Sequence, residues 1–255
     1  MRILCLGDSI MQYNDFTTYP QTGWVQELYR FFPDSTQWVD YARNGRSTKS
    51  FIDEGRFDRV MAEASKGDFA LIQFGHNDEK KADPSRYTDP SEDGAFRKNL
   101  SYFIRELRSK GVLPLLLTPM ARRMFIEGKI QDSHGQYCQA INEVAKKEKV
   151  PFIDMNSLTM DFLQKMGEEN TRRFYMNFDS NLYENYPEGK SDNSHLRPDG
   201  AYAYSEIAAR EIKKIAASFP EYAELSQACM TKTNCHYDEI GDGQEIDDEF
   251  TVYQK

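Results

Sequence analysis

The sequence predicts a doubly wound α/β domain on a five-stranded parallel sheet. Two observations carry this. Apolar runs of strand length recur along the 255 residues, and between them lie segments whose apolar residues follow helical i, i+3, i+4 spacing. The third and fourth runs, FALIQF and VLPLLLT, are apolar almost throughout, as expected of strands covered on both faces.

The predicted strands span 2–6, 36–41, 68–74, 112–118 and 151–154. Helical spacing joins Trp24, Val25, Leu28 and Phe31, and again Phe96, Leu100, Phe103, Ile104 and Leu107. It returns at Tyr137, Ile141 and Val144, and at Tyr204, Ile207, Ala208, Ile212 and Ile215. Residues 76–95 and 170–198 are long polar stretches, a length at which loops are usually functional. The pattern weakens after Tyr222, which predicts a domain over 1–222 and a loosely packed acidic extension over 223–255.

A net charge of −9 argues against nucleic-acid binding, which needs a basic face to neutralise phosphates. No apolar run approaches the ~18 residues of a membrane span. Met1-Arg2 runs straight into a four-residue apolar stretch and then Gly7, too short for a signal sequence, so a cytoplasmic protein is expected. The four cysteines form no C-x-x-C pair. Cys5 is expected in the core of the first strand. Cys229, Cys235 and His236 are weighed as a metal site or small disulfide loop and set aside, and His134 and His236 are expected on the surface.

In a parallel α/β sheet, ligands bind beyond the carboxyl ends of the strands. Gly7-Asp8-Ser9 follows the first strand, Asn44-Gly45-Arg46-Ser47 the second and Gly75-His76-Asn77-Asp78 the third. Asp192-Asn193-Ser194-His195 precedes the last helix. Each alone reads as a turn or a helix cap. Together they hold the parts of an acyl-transfer site. A serine hydroxyl needs a base, which His195 can supply, and Asp192 can orient that base. The oxyanion needs fixed donors, for which the Ser9 and Gly45 backbone N–H groups and the Asn77 amide are candidates. Asp8 is expected to order its loop, and His76 to order its own or touch substrate.

These four segments, in this order, resemble the SGNH or GDSL-type hydrolase family, with Ile10 where the family name has leucine. The resemblance implies a flavodoxin-like three-layer α/β/α sandwich and no metal or organic cofactor. It implies Ser9, Asp192 and His195 as the catalytic residues and Ser9, Gly45 and Asn77 as the oxyanion hole. Residues 44–50 (NGRSTKS), 73–78 (QFGHND) and 117–123 (LTPMARR) are similar to the rhamnogalacturonan acetylesterase branch. That branch implies an acetylated pectic oligosaccharide or polysaccharide as substrate. The residue after His195 is leucine where the branch more often has threonine or serine.

A uronate carboxylate calls for a local cation, ideally the fork of arginine. Arg46, Arg122, Arg123 and Arg197 are the candidates for substrate binding, alongside His76. Phe174, Tyr175, Phe178, Tyr183 and Tyr186 are read either as sugar-stacking walls or as ordinary loop packing. The alternatives are a lipase, thioesterase, acetylxylan esterase or other short-chain esterase of the same fold, and a non-catalytic flavodoxin-like binding module. The module predicts a G-x-G-x-x-G or Walker loop, and neither occurs.

Overall fold

The computed structural model describes residues 1–230 and the backbone of Thr251–Tyr253. In chain order the first half comprises β1 (Arg2–Gly7), α1 (Val25–Leu28), β2 (Gln37–Asp40), α2 (Thr48–Asp53), α3 (Arg56–Glu63), β3 (Phe69–Gln73) and α4 (Ala95–Ser109). Then come β4 (Leu113–Leu117), β5 (Phe125–Ile126), β6 (Lys129–Ile130), α5 (Gln136–Glu148), β7 (Phe152–Ile153), α6 (Met155–Met166) and α7 (Glu168–Thr171). The chain continues with β8 (Tyr175–Phe178), β9 (Lys190–Leu196), α8 (Pro198–Ile212), α9 (Ala223–Ala228) and β10 (Thr251–Tyr253).

Five strands pair in parallel in the order β2-β1-β3-β4-β7, and β10 adds an antiparallel strand to the outer edge of β2. Side chains alternate across the sheet because the strand period is two. Ile3, Cys5, Leu71, Leu115 and Leu117 face one core with Val25 of α1, Leu163 of α6 and Tyr204 and Ile207 of α8. Leu4, Leu6, Ala70, Ile72 and Leu116 face a second core with Phe51, Val60, Phe103, Ile104 and Ile141 from α2 to α5. The result is three layers, helices over both faces of a buried sheet.

Two boundaries are added by the structure. Residues 223–229 pack on the body of the domain. Tyr222 donates its hydroxyl to Pro114 O at 2.6 Å, and Leu225 and Cys229 are buried beside it. The fourth periodic segment also starts earlier than its apolar pattern, at Pro198, which sits in the first turn of α8 with its fixed φ suited to that position. Cys235 and His236 lie outside the described residues. Among the described residues, no helix is long and apolar enough to cross a membrane.

One polar bridge crosses the core just below the site. Trp24 donates its indole N–H to Gln73 Oε1 at 2.8 Å, and Gln73 Nε2 donates to Thr118 O at 2.9 Å, with both side chains buried. Replacing Gln73 with leucine leaves the Trp24 donor and the Thr118 carbonyl unpaired. Gln73→Leu is expected to lose about 1–3 kcal/mol of stability, read as a lower urea midpoint at unchanged m-value.

Candidate active site

β1 lies between β2 and β3, so the turns that leave these three strands open side by side on one edge. Ser9 stands in the turn after β1. Asp8 builds that turn: its carbonyl accepts the N–H groups of Met11 (3.2 Å) and Gln12 (3.0 Å), and its Oδ1 accepts that of Ile10 at 3.0 Å.

Ser9 Oγ is 2.9 Å from His195 Nε2, and His195 Nδ1 is 2.8 Å from Asp192 Oδ2. The ring nitrogen that faces the carboxylate carries the proton, which leaves the Nε2 lone pair toward the serine hydroxyl. Asp192 Oδ1 accepts the backbone N–H groups of Ser194 (2.8 Å) and His195 (3.0 Å). Burial opposes charge on Asp192. The bond to His195, its charge and these two N–H groups outweigh burial and hold the carboxyl well below the usual range.

Asp192 and His195 lie on β9, not in a loop before the last helix as their sequence suggests. β9 pairs antiparallel with β8, and Asn177 of β8 accepts Asp192 N–H and donates to Asp192 O, each at 3.1 Å. The stretch KSDNSHL sends only Leu196 into the core, and one buried residue sets up no apolar alternation to signal a strand.

Gly45 sits at φ +77°, a conformation that favours glycine, and an added Cβ would come 3.3 Å from the Arg86 guanidinium carbon. Asn77 Nδ2 donates to Arg46 O at 3.1 Å, and its Oδ1 accepts Lys80 Nζ at 2.8 Å. Asp78 ties this loop to the preceding one. Its Oδ1 accepts Thr48 N–H (2.9 Å), the Thr48 hydroxyl (2.6 Å) and the Thr88 hydroxyl (2.7 Å). Thr48 opens α2, whose start is fixed by a reciprocal Ser47–Ser50 capping box.

Ser9, Gly45, Asn77 and His195 line one cleft of about 550 Å³, together with Ile10, Gln21, Asn44, His76, Lys80, Arg122 and Ser194. Among the described residues no carboxylate lines it, and two basic side chains, Lys80 and Arg122, do. Arg122 is held in place by an ion pair with Glu79 and by its Nε donating to Ser194 Oγ at 3.2 Å. His76 is buried, and burial first, then the neighbouring His134 and Arg122, holds its ring well below the usual imidazole range. His76 lines the cleft with its Nε2 buried and unpaired, and its ring stands edge-on to that of His134, 4.5 Å away between centroids.

Several expected contacts fall elsewhere. Arg46 turns away from the cleft to Glu54, at 2.8 Å from Nε to Oε2, and to Asn44 O. Arg123 is spent on Thr171 Oγ1 and the Glu168 carbonyl. Arg197 stacks over Phe178 and Tyr183 and donates to the Tyr183 hydroxyl, in a separate groove. Phe174 and Tyr175 are core residues, and Phe178 packs edge-on against Tyr183 and Tyr186, so these aromatics form no wall of the cleft. His134 is buried and not on the surface: Nδ1 is 3.0 Å from Glu79 Oε2 and Nε2 is 3.0 Å from Met120 O. His76, Glu79 and His134 bring metal-type donors within 4.8 Å of one another. Glu79 is already neutralised by Arg122, and His134 is engaged at both nitrogens, so the trio is not free to take an ion. Lys80 and Gln21 line the cleft without having been singled out in the sequence. Lys80 returns to the cleft only because its N–H bonds Asn77 O at 3.2 Å, a turn that no motif marks.

A three-layer α/β/α fold with a serine, a histidine and an aspartate in hydrogen-bonded sequence beyond the strand ends defines a serine ester hydrolase. The chain belongs to the GDSL-like lipase/acylhydrolase family, whose model matches residues 5–201. It is 31% identical over 223 residues to the rhamnogalacturonan acetylesterase RhgT of Bacillus subtilis, covering 87% of this chain and 94% of that one. YesY of the same bacterium is 33% identical over 220 residues, 86% of this chain and 95% of YesY. The crystal structure of Bacillus subtilis YxiM superimposes with a TM-score of 0.71 at 25% identity, covering 85% of this chain and 57% of YxiM.

Two carboxyls beneath the site are buried with one oxygen unpaired, Asp8 Oδ2 and Asp78 Oδ2. Burial pushes Asp8 up to about 7 and Asp78 up to about 6. For Asp8 the folded value exceeds the unfolded 3.8, so the folded state binds the extra proton between those values. Its contribution to stability is full below about pH 4 and is lost as pH rises to about 7. Asp8→Asn keeps the acceptor for Ile10 N–H and removes the titration. Urea unfolding at intervals from pH 4 to 7.5 is expected to show the variant gaining on the wild type as pH rises.

Proposed function

We propose that the protein is a serine carbohydrate O-acetylesterase that removes acetyl groups from rhamnogalacturonan-type pectic poly- or oligosaccharides. The observation that carries the reading is the Ser9–His195–Asp192 row, at 2.9 and 2.8 Å, opening on a cleft lined by Lys80 and Arg122 and, among the described residues, by no carboxylate. The relationship to RhgT supports the same substrate class.

In this reading Ser9 Oγ attacks the acetyl carbonyl as its proton passes to His195 Nε2, and Asp192 stabilises the imidazolium. The oxyanion takes hydrogen bonds from the Ser9 and Gly45 N–H groups and the Asn77 amide. The tetrahedral species collapses as His195 returns the proton to the sugar oxygen. A water activated by His195 then attacks the acetyl-enzyme, releasing acetate and restoring Ser9. Arg122 and Lys80 offer charge-assisted hydrogen bonds to a uronate carboxylate. Among the described residues Ile10 is the single apolar side chain lining the cleft, so an acyl chain longer than acetyl meets little apolar surface to bury.

Acetate release from acetylated rhamnogalacturonan oligosaccharides is expected to exceed release from acetylxylan, and p-nitrophenyl acetate to be cleaved faster than the octanoate. Ser9→Ala is expected to lower turnover by at least ~10³-fold. Activity on acetylxylan with none on pectic substrates would move the assignment to that polymer, and a preference for octanoate would make the protein a lipase-type esterase.

A further inference from the structure

We infer that Lys80 is a positioning residue for the reaction, holding the Asn77 amide so that one N–H of its nitrogen stays available to the cleft. The inference rests on the oxyanion role proposed above for Asn77. An amide side chain has two ends of nearly equal shape and opposite polarity, and a half-turn exchanges donor for acceptor. At Asn77 both ends are held in the same sense. Lys80 Nζ donates to Oδ1 at 2.8 Å, and Nδ2 donates one N–H to Arg46 O at 3.1 Å. The second N–H of Nδ2 remains, on a residue that lines the cleft with Ser9 and His195.

Turned over, the amide would set its oxygen against the Arg46 carbonyl and its nitrogen against an ammonium. The cleft, where negative charge develops, would then lose a donor. A neutral neighbour at position 80 would leave only the Arg46 contact to oppose this. The ammonium adds a second effect: a cation on an amide oxygen draws electron density away from the nitrogen and strengthens its remaining N–H as a donor. The backbone delivers Lys80 to this place. After β3 the chain turns back on itself, with Glu79 N–H bonding Gly75 O and Lys80 N–H bonding Asn77 O, each at 3.2 Å. Gly75 permits the turn at φ +149°, where a Cβ would sit 2.8 Å from Pro119 Cγ. Lys80 itself is exposed, so its replacement removes the charge without opening the core.

A lysine at the cleft could instead act only by binding a substrate carboxylate. Steady-state kinetics on p-nitrophenyl acetate, which has no carboxylate, separates the two. Lys80→Met is expected to lower kcat about tenfold with little change in KM and in Tm, and Lys80→Arg to recover most of the loss. Asn77→Ala is expected to lower kcat by about 10²-fold. In the Asn77→Ala background, Lys80→Met is expected to add less than about twofold, because its effect passes through the amide. The inference is overturned if Lys80→Met leaves kcat unchanged, or lowers it by the same factor with and without Asn77. A loss matched by a large fall in Tm would also overturn it. An Asn77→Ala enzyme of full activity would remove the oxyanion role itself, and the role of Lys80 with it.

Discussion

A parallel strand sends its chain out at one edge of the sheet only, and β1 has β2 on one side and β3 on the other. The turns carrying Gly45 and Asn77 therefore flank the one carrying Ser9, each one strand spacing of ~5 Å away, although up to 68 residues separate them in the chain. Every other feature of the site is built onto this adjacency. The fourth segment, on β9, comes from outside the main sheet and is brought over the same edge by pairing with β8. Leu196 O accepts the N–H of Thr22 at 2.9 Å, which fastens β9 to the long connection after β1.

Holding polar groups at the end of an apolar sheet has an electrostatic cost, and the site meets it in two ways. Asp192 is stabilised as an anion by His195 and two backbone N–H groups, and its partner ring is oriented by the same contacts. Asp8 and Asp78 are more deeply enclosed and are pushed up toward neutrality, so they act chiefly as acceptors that bind loops together. Three donors converge on one oxygen of Asp78, from two different loops. Glu79 keeps a counterion in Arg122, and that arginine in turn reaches Ser194 beside His195. The acid–base strand and the loop after β3 are thus joined by a chain of charged contacts that crosses the cleft.

Much of this was legible in the residues, and the failures share a cause. The five parallel strands and helices α4, α5 and α8 announced themselves because their side chains enter a core, and burial imposes a period of two or of 3.6, whereas α6 went unread. α4 is the clearest case, with Phe96, Leu100, Phe103, Ile104 and Leu107 all buried. The β8–β9 pair was invisible on the β9 side because only Leu196 of β9 enters the core and the strand shows no apolar alternation. The short helix α9 was missed because Leu225 and Cys229 are too few to establish a period, though both are buried. His134 looked like a surface residue for a similar reason: its partners, Glu79 and the Met120 carbonyl, are 55 and 14 residues away.

The arginines divide along the same line. Arg46, Arg122, Arg123 and Arg197 all stand in segments expected near the site, yet of these four only Arg122 lines the cleft. A long side chain can sweep a wide arc from its backbone position, and which acceptor it meets depends on elements distant in sequence: Glu54 for Arg46, the Glu168 carbonyl for Arg123, Tyr183 for Arg197. By itself the sequence determined the sheet, its layers and which strand ends bear chemical groups, because apolar periodicity and turn residues are local properties. Tertiary structure alone decided which charges reach the cleft and which of them, such as Lys80 against Asn77, hold another group in place. Electrostatic contacts act through space over a few ångströms, and that proximity is fixed only once the whole sheet has formed.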